Sequence, residues 1–250
     1  MLLTPAAASQ GEFLRNLRVQ VEITNSGHEP SRDITLEIPL LAVLDSPAQV
    51  VRQETFSHQP VAIHQQNDSR TMTVDIPLLL PGQSETITVD YVLEFREVRN
   101  TPRYRASQLV AARIHAFVVG HMEYNSDSPY RNMGAIAALR HGEGVCEDFA
   151  ALFVYLCRAV GIPARMVYGY ADPAIFQQEG TLSLHTYRHA WAEFYTGGKW
   201  LPADPAFRYF GSLPFGDRIA KYYHNQAIQG RYQGGQLSFK RTEQLTGGGD

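Results

Sequence analysis

Three residues in the second half of the chain have side chains that could together carry out nucleophilic catalysis. Cys146 supplies a thiol, His189 an imidazole and Asp204 a carboxylate. A cysteine nucleophile needs a base to accept its proton, and a histidine base is commonly oriented by a third group. We therefore predict acyl transfer with Cys146 as the nucleophile, His189 as the general base and Asp204 as the residue that fixes the imidazole tautomer.

The residues around Cys146 predict that it lies at the start of a helix. Glycines precede the cysteine, Gly161 and Pro163 follow, and the residues between them have helical spacing. The unpaired amide groups and the positive end of the helix dipole favour an anion at the first turn, which would stabilise a thiolate there. We expect the backbone N–H of Cys146 to face the oxyanion of the reaction. The predicted buried face of this helix consists of Cys146, Phe149, Ala150, Phe153, Leu156, Cys157 and Val160.

The second cysteine, Cys157, is predicted to have a structural role. It follows Cys146 by eleven residues, a separation of roughly 16 Å along a helix. A disulfide requires Cα atoms within about 7 Å of each other, so the two cysteines cannot form one on this helix. Leu156 and Val160 flank Cys157, and we expect it to be a buried apolar thiol.

A predicted hairpin brings the histidine and the aspartate together. Residues 189–195 and 200–204 flank the segment Thr196-Gly197-Gly198-Lys199, and a Gly-Gly pair favours a two-residue turn. Asp204 would then lie opposite Trp191, on the same face as His189 and about 7 to 8 Å from it between backbones. A register shift of one residue would place the two side chains on opposite faces.

The first hundred residues have the alternating pattern of half-buried strands. Apolar residues alternate with polar ones in residues 17–23, 34–38, 72–76 and 87–95, with turn residues at 25–27, 67–69 and 81–83. These features predict an antiparallel β-sandwich over about residues 12 to 98. Helical spacing follows in residues 106–122 and 132–140. We predict an α+β protein with a β-sandwich domain at residues 1–100 and a catalytic domain with a C-terminal extension at residues 101–250.

Composition excludes several classes of protein. The net charge is -3 and 44% of the residues are hydrophobic, which is typical of a folded globular protein and not of a basic nucleic-acid binder. The chain has no apolar run of the length needed to cross a membrane, and its first residues lack the pattern of a secretory signal. We therefore expect a soluble, cytoplasmic protein that binds neither nucleic acid nor a membrane.

No cofactor or metal is predicted. His58 and His64 lie in a polar stretch and are expected to be solvated. His185 and His189 have zinc-ligand spacing only if their segment is helical, and its aromatic residues favour a strand instead.

Six further residues lie near the proposed triad in the sequence. We expect both tryptophans to be core residues that could also wall the substrate cleft. The three tyrosines are candidates for an oxyanion donor or for stacking, and the arginine is expected to pair with an acidic neighbour. These residues are Trp191, Trp200, Tyr124, Tyr168, Tyr170 and Arg165.

Four stretches of the sequence, in this order, resemble the transglutaminase-like superfamily. They are residues 144–150 (Gly-Val-Cys-Glu-Asp-Phe-Ala), 158–165 (Arg-Ala-Val-Gly-Ile-Pro-Ala-Arg), 189–193 (His-Ala-Trp-Ala-Glu) and 200–205 (Trp-Leu-Pro-Ala-Asp-Pro). The resemblance covers about residues 106 to 210. It implies a papain-like α+β core with Cys146, His189 and Asp204 as a catalytic triad that acts on an amide through a thioester. The first hundred residues look like the immunoglobulin-like sandwich that precedes this core in many bacterial members.

The resemblance leaves the acceptor of the acyl group open. The family includes cross-linking enzymes that pass the acyl group to an amine, and proteases and amidases that pass it to water. The chain departs from the animal cross-linking enzymes in its length and in having no acidic calcium loop. Our prediction is a hydrolase of peptide or protein amides, similar to the bacterial transglutaminase-like cysteine proteases. The alternatives are a protein-glutamine transglutaminase and a non-catalytic peptide-binding or assembly module.

Overall fold

The computed structural model describes residues 13–42, 49–66, 69–95, 106–171, 181–213, 218–222 and 227–246. Within these ranges lie three α-helices and sixteen strands, arranged in three antiparallel sheets and one short parallel pair. The fold is mixed α+β and rich in strands, as the sequence patterns predict.

The N-terminal part of the chain forms six strands. They are β1 (Phe13–Asn25), β2 (Ser31–Pro39), β3 (Gln49–Phe56), β4 (Ala62–Gln66), β5 (Ser69–Leu79) and β6 (Ser84–Phe95). Sequence alternation identifies four of them and misses β3 and β4. Both of these are edge strands with mostly exposed or half-exposed residues. Because they bury little, they lack the apolar alternation by which a strand is identified.

Strands from the C-terminal half complete these sheets. They are β10 (Leu182–Ser183), β15 (Gln229–Gln233) and β16 (Leu237–Thr246). One sheet has the order β10-β16-β1-β6-β3 and the other the order β15-β2-β5-β4. The predicted domain boundary at residues 100–102 lies outside the described residues and stays a prediction, but the two sheets contain segments from both sides of it.

The two sheets share one hydrophobic core. Its members from β1, β2, β5 and β6 are mainly alternate residues: Leu17, Val19, Val21, Ile23, Ile34, Leu36, Ile38, Met72, Val74, Ile76, Ile87, Val89, Tyr91 and Leu93. The sheets therefore pack face to face, which is the arrangement of a sandwich. Tyr170, Leu184 and Ile219, from the part of the chain that carries the site, belong to the same core. This shared core connects the sandwich to the elements described next.

The remaining elements surround the predicted triad. The helices are α1 (Ala106–His121), α2 (Ala135–His141) and α3 (Cys146–Ala159), and a short parallel pair joins β7 (Glu123–Tyr124) to β8 (Glu143–Gly144). The third sheet has the order β13-β12-β11-β9-β14, with β9 (Ala164–Ala171), β11 (Arg188–Thr196), β12 (Lys199–Asp204), β13 (Tyr209–Phe210) and β14 (Arg218–Tyr222). A second hydrophobic core joins α3 to this sheet and includes Phe149, Phe153, Cys157, Ala192, Phe194 and Leu201.

Helix α3 follows most of the predicted face, but Cys146 and Leu156 are only half-buried. Phe149, Ala150, Phe153 and Cys157 are buried as expected. Val160, however, is 57% exposed. The helix ends at Ala159, and Gly161 has a positive φ of 78°, so the chain has already turned away from the core at Val160.

The described ranges contain three α-helices. None of the three helices there is long and apolar enough to cross a membrane. The same ranges contain no group of three or more His, Cys, Asp or Glu side chains arranged to hold a metal ion. His185 lies in a 3-10 turn and His189 in β11, so the two do not share a helix.

Candidate active site

Cys146 is the first residue of α3, as predicted. It is partly exposed, and no disulfide involves it. Val145 precedes it in an extended conformation, with φ -107° and ψ 179°. The thiol therefore lies at the positive end of the helix dipole, where an anion is favoured.

The carboxylate of Asp148 holds the chain in place around the start of α3. Asp148 is fully buried. Its Oδ2 accepts the backbone N–H groups of Val145 at 3.0 Å and Asn132 at 2.9 Å, and its Oδ1 accepts that of Gly134 at 3.3 Å. One side chain thus joins the residue before Cys146 to the turn that leads into α2. An acidic residue three positions after the helix N-cap is a capping-box signal, and this signal identifies the Val145 contact but not the other two.

Gly144 has no space for a side chain. A Cβ atom at this position would lie 2.6 Å from Oδ2 of Asp148 and 2.8 Å from its Cβ. Glycine is required here because the buried carboxylate packs directly against the backbone that leads to Cys146.

The hairpin of β11 and β12 has the predicted register. Thr196 pairs with Lys199, and Ala192 pairs with Ala203. Gly197 and Gly198 have φ values of 64° and 86°, and positive φ at both central residues is what a type I′ turn requires. His189 and Asp204 consequently meet, and His189 Nε2 lies 2.8 Å from Asp204 Oδ2.

His189 is buried between its two predicted partners. Only 8% of the residue is exposed. Burial alone would lower its pKa, but hydrogen bonds to Asp204 and Cys146, together with the charges of both, raise the pKa to about 9. The ring is therefore an imidazolium at neutral pH and loses its proton as the pH rises through about 9. Since Nε2 is bonded to Asp204, Nδ1 is the ring nitrogen left for Cys146.

Asp204 is fully buried and remains a carboxylate. Burial would raise its pKa, but hydrogen bonds and charge from His189 and Arg218 outweigh that effect and lower it. Its Oδ1 accepts the backbone N–H of Phe207 at 3.2 Å. Its Oδ2 accepts Nη2 of Arg218 at 2.5 Å in addition to the His189 ring.

Sequence patterns do not identify Phe207 and Arg218, which both contact the pair. The Phe207 ring stacks on the His189 ring with centroids 4.4 Å apart and planes 15° apart. Arg218 lies on β14, and two strands separate β14 from the strand of Asp204. No local pattern could have placed this arginine, because its contact with Asp204 joins two strands that are not neighbours in the sheet.

The tyrosine candidates differ in their positions. The Tyr168 hydroxyl donates to Oε1 of Glu147 at 3.2 Å, and burial together with the charge of Glu147 raises the pKa of Tyr168 to about 12. Tyr124 is 56% exposed. Burial and the charge of Cys146 raise the pKa of Tyr124. Tyr170 is excluded from the site, because it is buried in the sandwich core and its hydroxyl accepts a hydrogen bond from Lys221.

Arg165 and Trp191 follow expectation, whereas Trp200 is only half-buried and is not a core residue. Arg165 forms a buried ion pair with Glu193, with Nη2 2.8 Å from Oε2, and its guanidinium lies 4.0 Å from the Trp200 ring centroid. Trp191 is buried, and its ring centroid lies 6.2 Å from that of His189. Trp191 is therefore both a core residue and a neighbour of the triad.

The two thiols should differ in reactivity. Burial raises the pKa of Cys157 to about 12. At pH 8 only about one Cys157 side chain in ten thousand is therefore a thiolate, whereas Cys146 is partly exposed beside an imidazolium. We expect iodoacetamide at pH 8 to modify one thiol per native chain, at Cys146, and two thiols after denaturation, as measured by peptide mass mapping. Equal labelling of Cys146 and Cys157 in the native protein would contradict this difference.

Comparison with known proteins supports the resemblance seen in the motifs. Residues 96–205 match the family model of the transglutaminase-like superfamily. An uncharacterized protein of Mycobacterium leprae is 41% identical over 63 residues, which are 25% of this chain and 22% of that protein. A protein-glutamine gamma-glutamyltransferase of Pseudomonas aeruginosa is 27% identical over 168 residues, which are 64% of this chain and 24% of that protein. The matched regions therefore span less than a quarter of the length of either relative.

A solved structure has a similar fold. The crystal structure of a "Putative Cysteine Protease" from Cytophaga hutchinsonii superposes with a TM-score of 0.52 at 16% identity. The superposition covers 94% of this chain and 99% of that one, so it includes the sandwich as well as the site. The segment that matches the family model of the transglutaminase-like superfamily, residues 96–205, contains the helix of Cys146 and the hairpin of His189 and Asp204.

Proposed function

We propose that the protein is a thiol-dependent acyl-transfer enzyme that acts on peptide or protein amides, with Cys146 as nucleophile, His189 as general base and acid, and Asp204 as the orienting carboxylate. The observation that supports this most strongly is the buried hydrogen bond of 2.8 Å between His189 Nε2 and Asp204 Oδ2. This bond leaves Nδ1 for the thiol at the start of α3. A nucleophile, a base and an orienting group in this relation are the parts of a cysteine-dependent acyl-transfer site.

In the first step the sulfur of Cys146 attacks the carbonyl carbon of the amide. The C–S bond forms, the C–N bond breaks, and the proton on Nδ1 of His189 passes to the leaving nitrogen. The negative charge on the carbonyl oxygen would fall near the backbone N–H of Cys146 at the helix terminus. The products of this step are a free amine and a thioester on Cys146.

In the second step an acceptor attacks the thioester. His189 removes a proton from the acceptor, the C–S bond breaks, and the proton returns to the sulfur or stays on the imidazole. We propose that the acceptor is water, because hydrolysis needs no second binding site beside the thioester. One similar protein is described as a cysteine protease and another as a glutamine gamma-glutamyltransferase, and both reactions pass through the same thioester.

We also propose that the two packed sheets form an immunoglobulin-like domain. Their antiparallel pairing and shared core support this proposal.

An isotope experiment separates water from amine as the acceptor. The protein is incubated with a peptide library that includes glutamine peptides, in heavy-oxygen water, with and without a labelled primary amine. We expect one heavy oxygen atom in each newly formed carboxylate and no incorporation of the amine, as measured by mass spectrometry. Protein alkylated by iodoacetamide is the control and should produce neither product. Incorporation of the amine would replace hydrolysis by transfer, and an alkylated protein that is as active as the untreated one would overturn the thiol mechanism.

A further inference from the structure

We propose that Arg218 is a positioning residue of this site, which holds the Asp204 carboxylate in one orientation and balances its charge while His189 gains and loses a proton. The effect of Arg218 on rate rests on the proposed acyl-transfer function. Its effect on Asp204 and His189 does not, and the two can be measured separately.

The contacts of Asp204 leave its carboxylate little freedom. Arg218 Nη2 donates to Oδ2 at 2.5 Å, and His189 Nε2 bonds the same oxygen at 2.8 Å. The backbone N–H of Phe207 donates to Oδ1 at 3.2 Å. The carboxylate is thus held from three directions, by a histidine on β11, an arginine on β14 and the backbone after β12.

The guanidinium and the imidazole also share aromatic neighbours. The central carbon of the Arg218 guanidinium lies 5.4 Å from the Phe207 ring centroid and 5.9 Å from that of Trp191. The His189 ring stacks on Phe207 and lies close to Trp191. Arg218 is buried, with 7% of the residue exposed. Arg218 therefore packs against the same aromatic rings as His189, and its ion pair with Asp204 is buried and not at the surface.

Charge balance gives Arg218 a role that a purely structural residue would not have. While His189 is an imidazolium it compensates the buried carboxylate. Once His189 has given its proton to the leaving group, Asp204 would be a buried anion without that partner, which is costly. The guanidinium stays protonated throughout the reaction because an arginine does not lose its proton in a protein. Arg218 would therefore keep Asp204 charged at the step in which the imidazole is neutral.

The other titratable groups around the pair come from separate elements. Cys146 of α3 interacts with His189 through a hydrogen bond and through its charge. His115 of α1 lies against the backbone of Asp204 and of Tyr209 on β13, and burial lowers the pKa of His115, so it contributes no fixed charge at neutral pH. Among these groups Arg218 is the one whose positive charge does not titrate. Removing it should raise the pKa of Asp204 and of His189 together, because a positive charge disfavours protonation of every nearby group.

Two substitutions at Arg218 and a matched control test the proposal. Arg218→Met removes the charge but keeps an unbranched side chain, and Arg218→Lys keeps the charge but not the planar group. Arg165→Met is the control, since Arg165 is also buried, paired with a carboxylate and packed on an aromatic ring.

We expect Arg218→Met to lower kcat by about a hundredfold, the cost that a misplacement of a catalytic group by about 1 Å can have, with KM changed much less. Both limbs of its pH profile should move to higher pH. Arg218→Lys should restore part of kcat and the wild-type pH profile, and Arg165→Met should lower stability without moving the profile.

Titration of the His189 ring by NMR gives a readout that needs no substrate. In Arg218→Met the ring should lose its proton at a higher pH than in the wild type, and in Arg165→Met at the wild-type pH. If the ring titrates identically in Arg218→Met and the wild type, Arg218 does not act on the pair and the proposal is wrong, whatever happens to thermal stability. If the titration shifts but Cys146→Ala retains full amidase activity, the positioning of the pair stands and the proposed function fails instead.

Discussion

Replacing Cys146 by alanine should lower kcat/KM for amide hydrolysis by about four to six orders of magnitude, the range seen when the nucleophile of a triad is removed. The reason is chemical: without the sulfur of Cys146 no thioester can form at this site. His189 and Asp204 would remain hydrogen-bonded to each other, but His189 would have no thiol to activate. The measurement is the rate of product formation on a peptide substrate identified with the wild type, together with mass spectrometry of the intact protein for the acyl-enzyme.

The second cysteine of the chain is a matched control for this experiment. Cys157 lies on the same helix but is fully buried among apolar residues. We expect Cys157→Ala to retain the wild-type kcat/KM and to lose about 1 kcal/mol or more of stability through the small cavity it creates. Equal activity in Cys146→Ala and the wild type would exclude the thiol mechanism. Loss of activity in both variants without unfolding would show that the chemistry does not depend on Cys146 alone.

Replacing Asp148 by alanine should lower the free energy of unfolding by about 1.5 to 4.5 kcal/mol, because three part-buried hydrogen bonds to backbone N–H groups are lost and each contributes about 0.5 to 1.5 kcal/mol. These groups belong to Val145, Asn132 and Gly134. The effect should be visible in urea unfolding followed by circular dichroism. Molecules that remain folded should also hydrolyse the peptide substrate more slowly, because Asp148 no longer holds Val145, the residue before Cys146.

Glu147→Gln is the control for Asp148→Ala. Glu147 is the neighbouring acid in the first turn of α3, is only partly buried, and accepts one hydrogen bond, from Tyr168. Glutamine keeps an oxygen that can accept the Tyr168 hydroxyl, so the replacement should cost no more than about 0.5 to 1.5 kcal/mol, the net value of one ordinary hydrogen bond. The structural role of Asp148 would be refuted if its alanine variant were no less stable than Glu147→Gln.

The site residues could be predicted because each has a local signal. Gly142 and Gly144 ahead of Cys146, and Gly161 and Pro163 after it, mark the ends of α3. The Gly197-Gly198 pair sets the turn, and the turn sets the register in which Asp204 reaches His189. In a hairpin the register follows from the length and type of the turn, so a short stretch of sequence suffices. The catalytic roles of the three residues stay a prediction until the variants above are measured.

Other parts of the structure have no such signal. The edge strands β3 and β4 bury few residues, and β15 and β16 pair with β2 and β1 across some two hundred residues of chain. Tyr170 is near the site in sequence, but its place in β9 puts its side chain in the sandwich core. Arg218 is distant from His189 along the chain and across the sheet, yet both bond the same oxygen of Asp204.

By itself the sequence determined where α3 begins, where the β11–β12 hairpin turns, and so which thiol, imidazole and carboxylate could meet. These features depend on contacts between residues near one another in the chain, where turn geometry and helix periodicity act directly. Only the tertiary structure decided that Asp148 holds the start of the helix to the turn before α2, that the C-terminal strands complete the N-terminal sheets, and that Arg218 joins the Asp204 carboxylate. Those contacts depend on how separate elements pack, and a side chain that is ordinary in its own segment acquires its role only from the partner that packing brings to it.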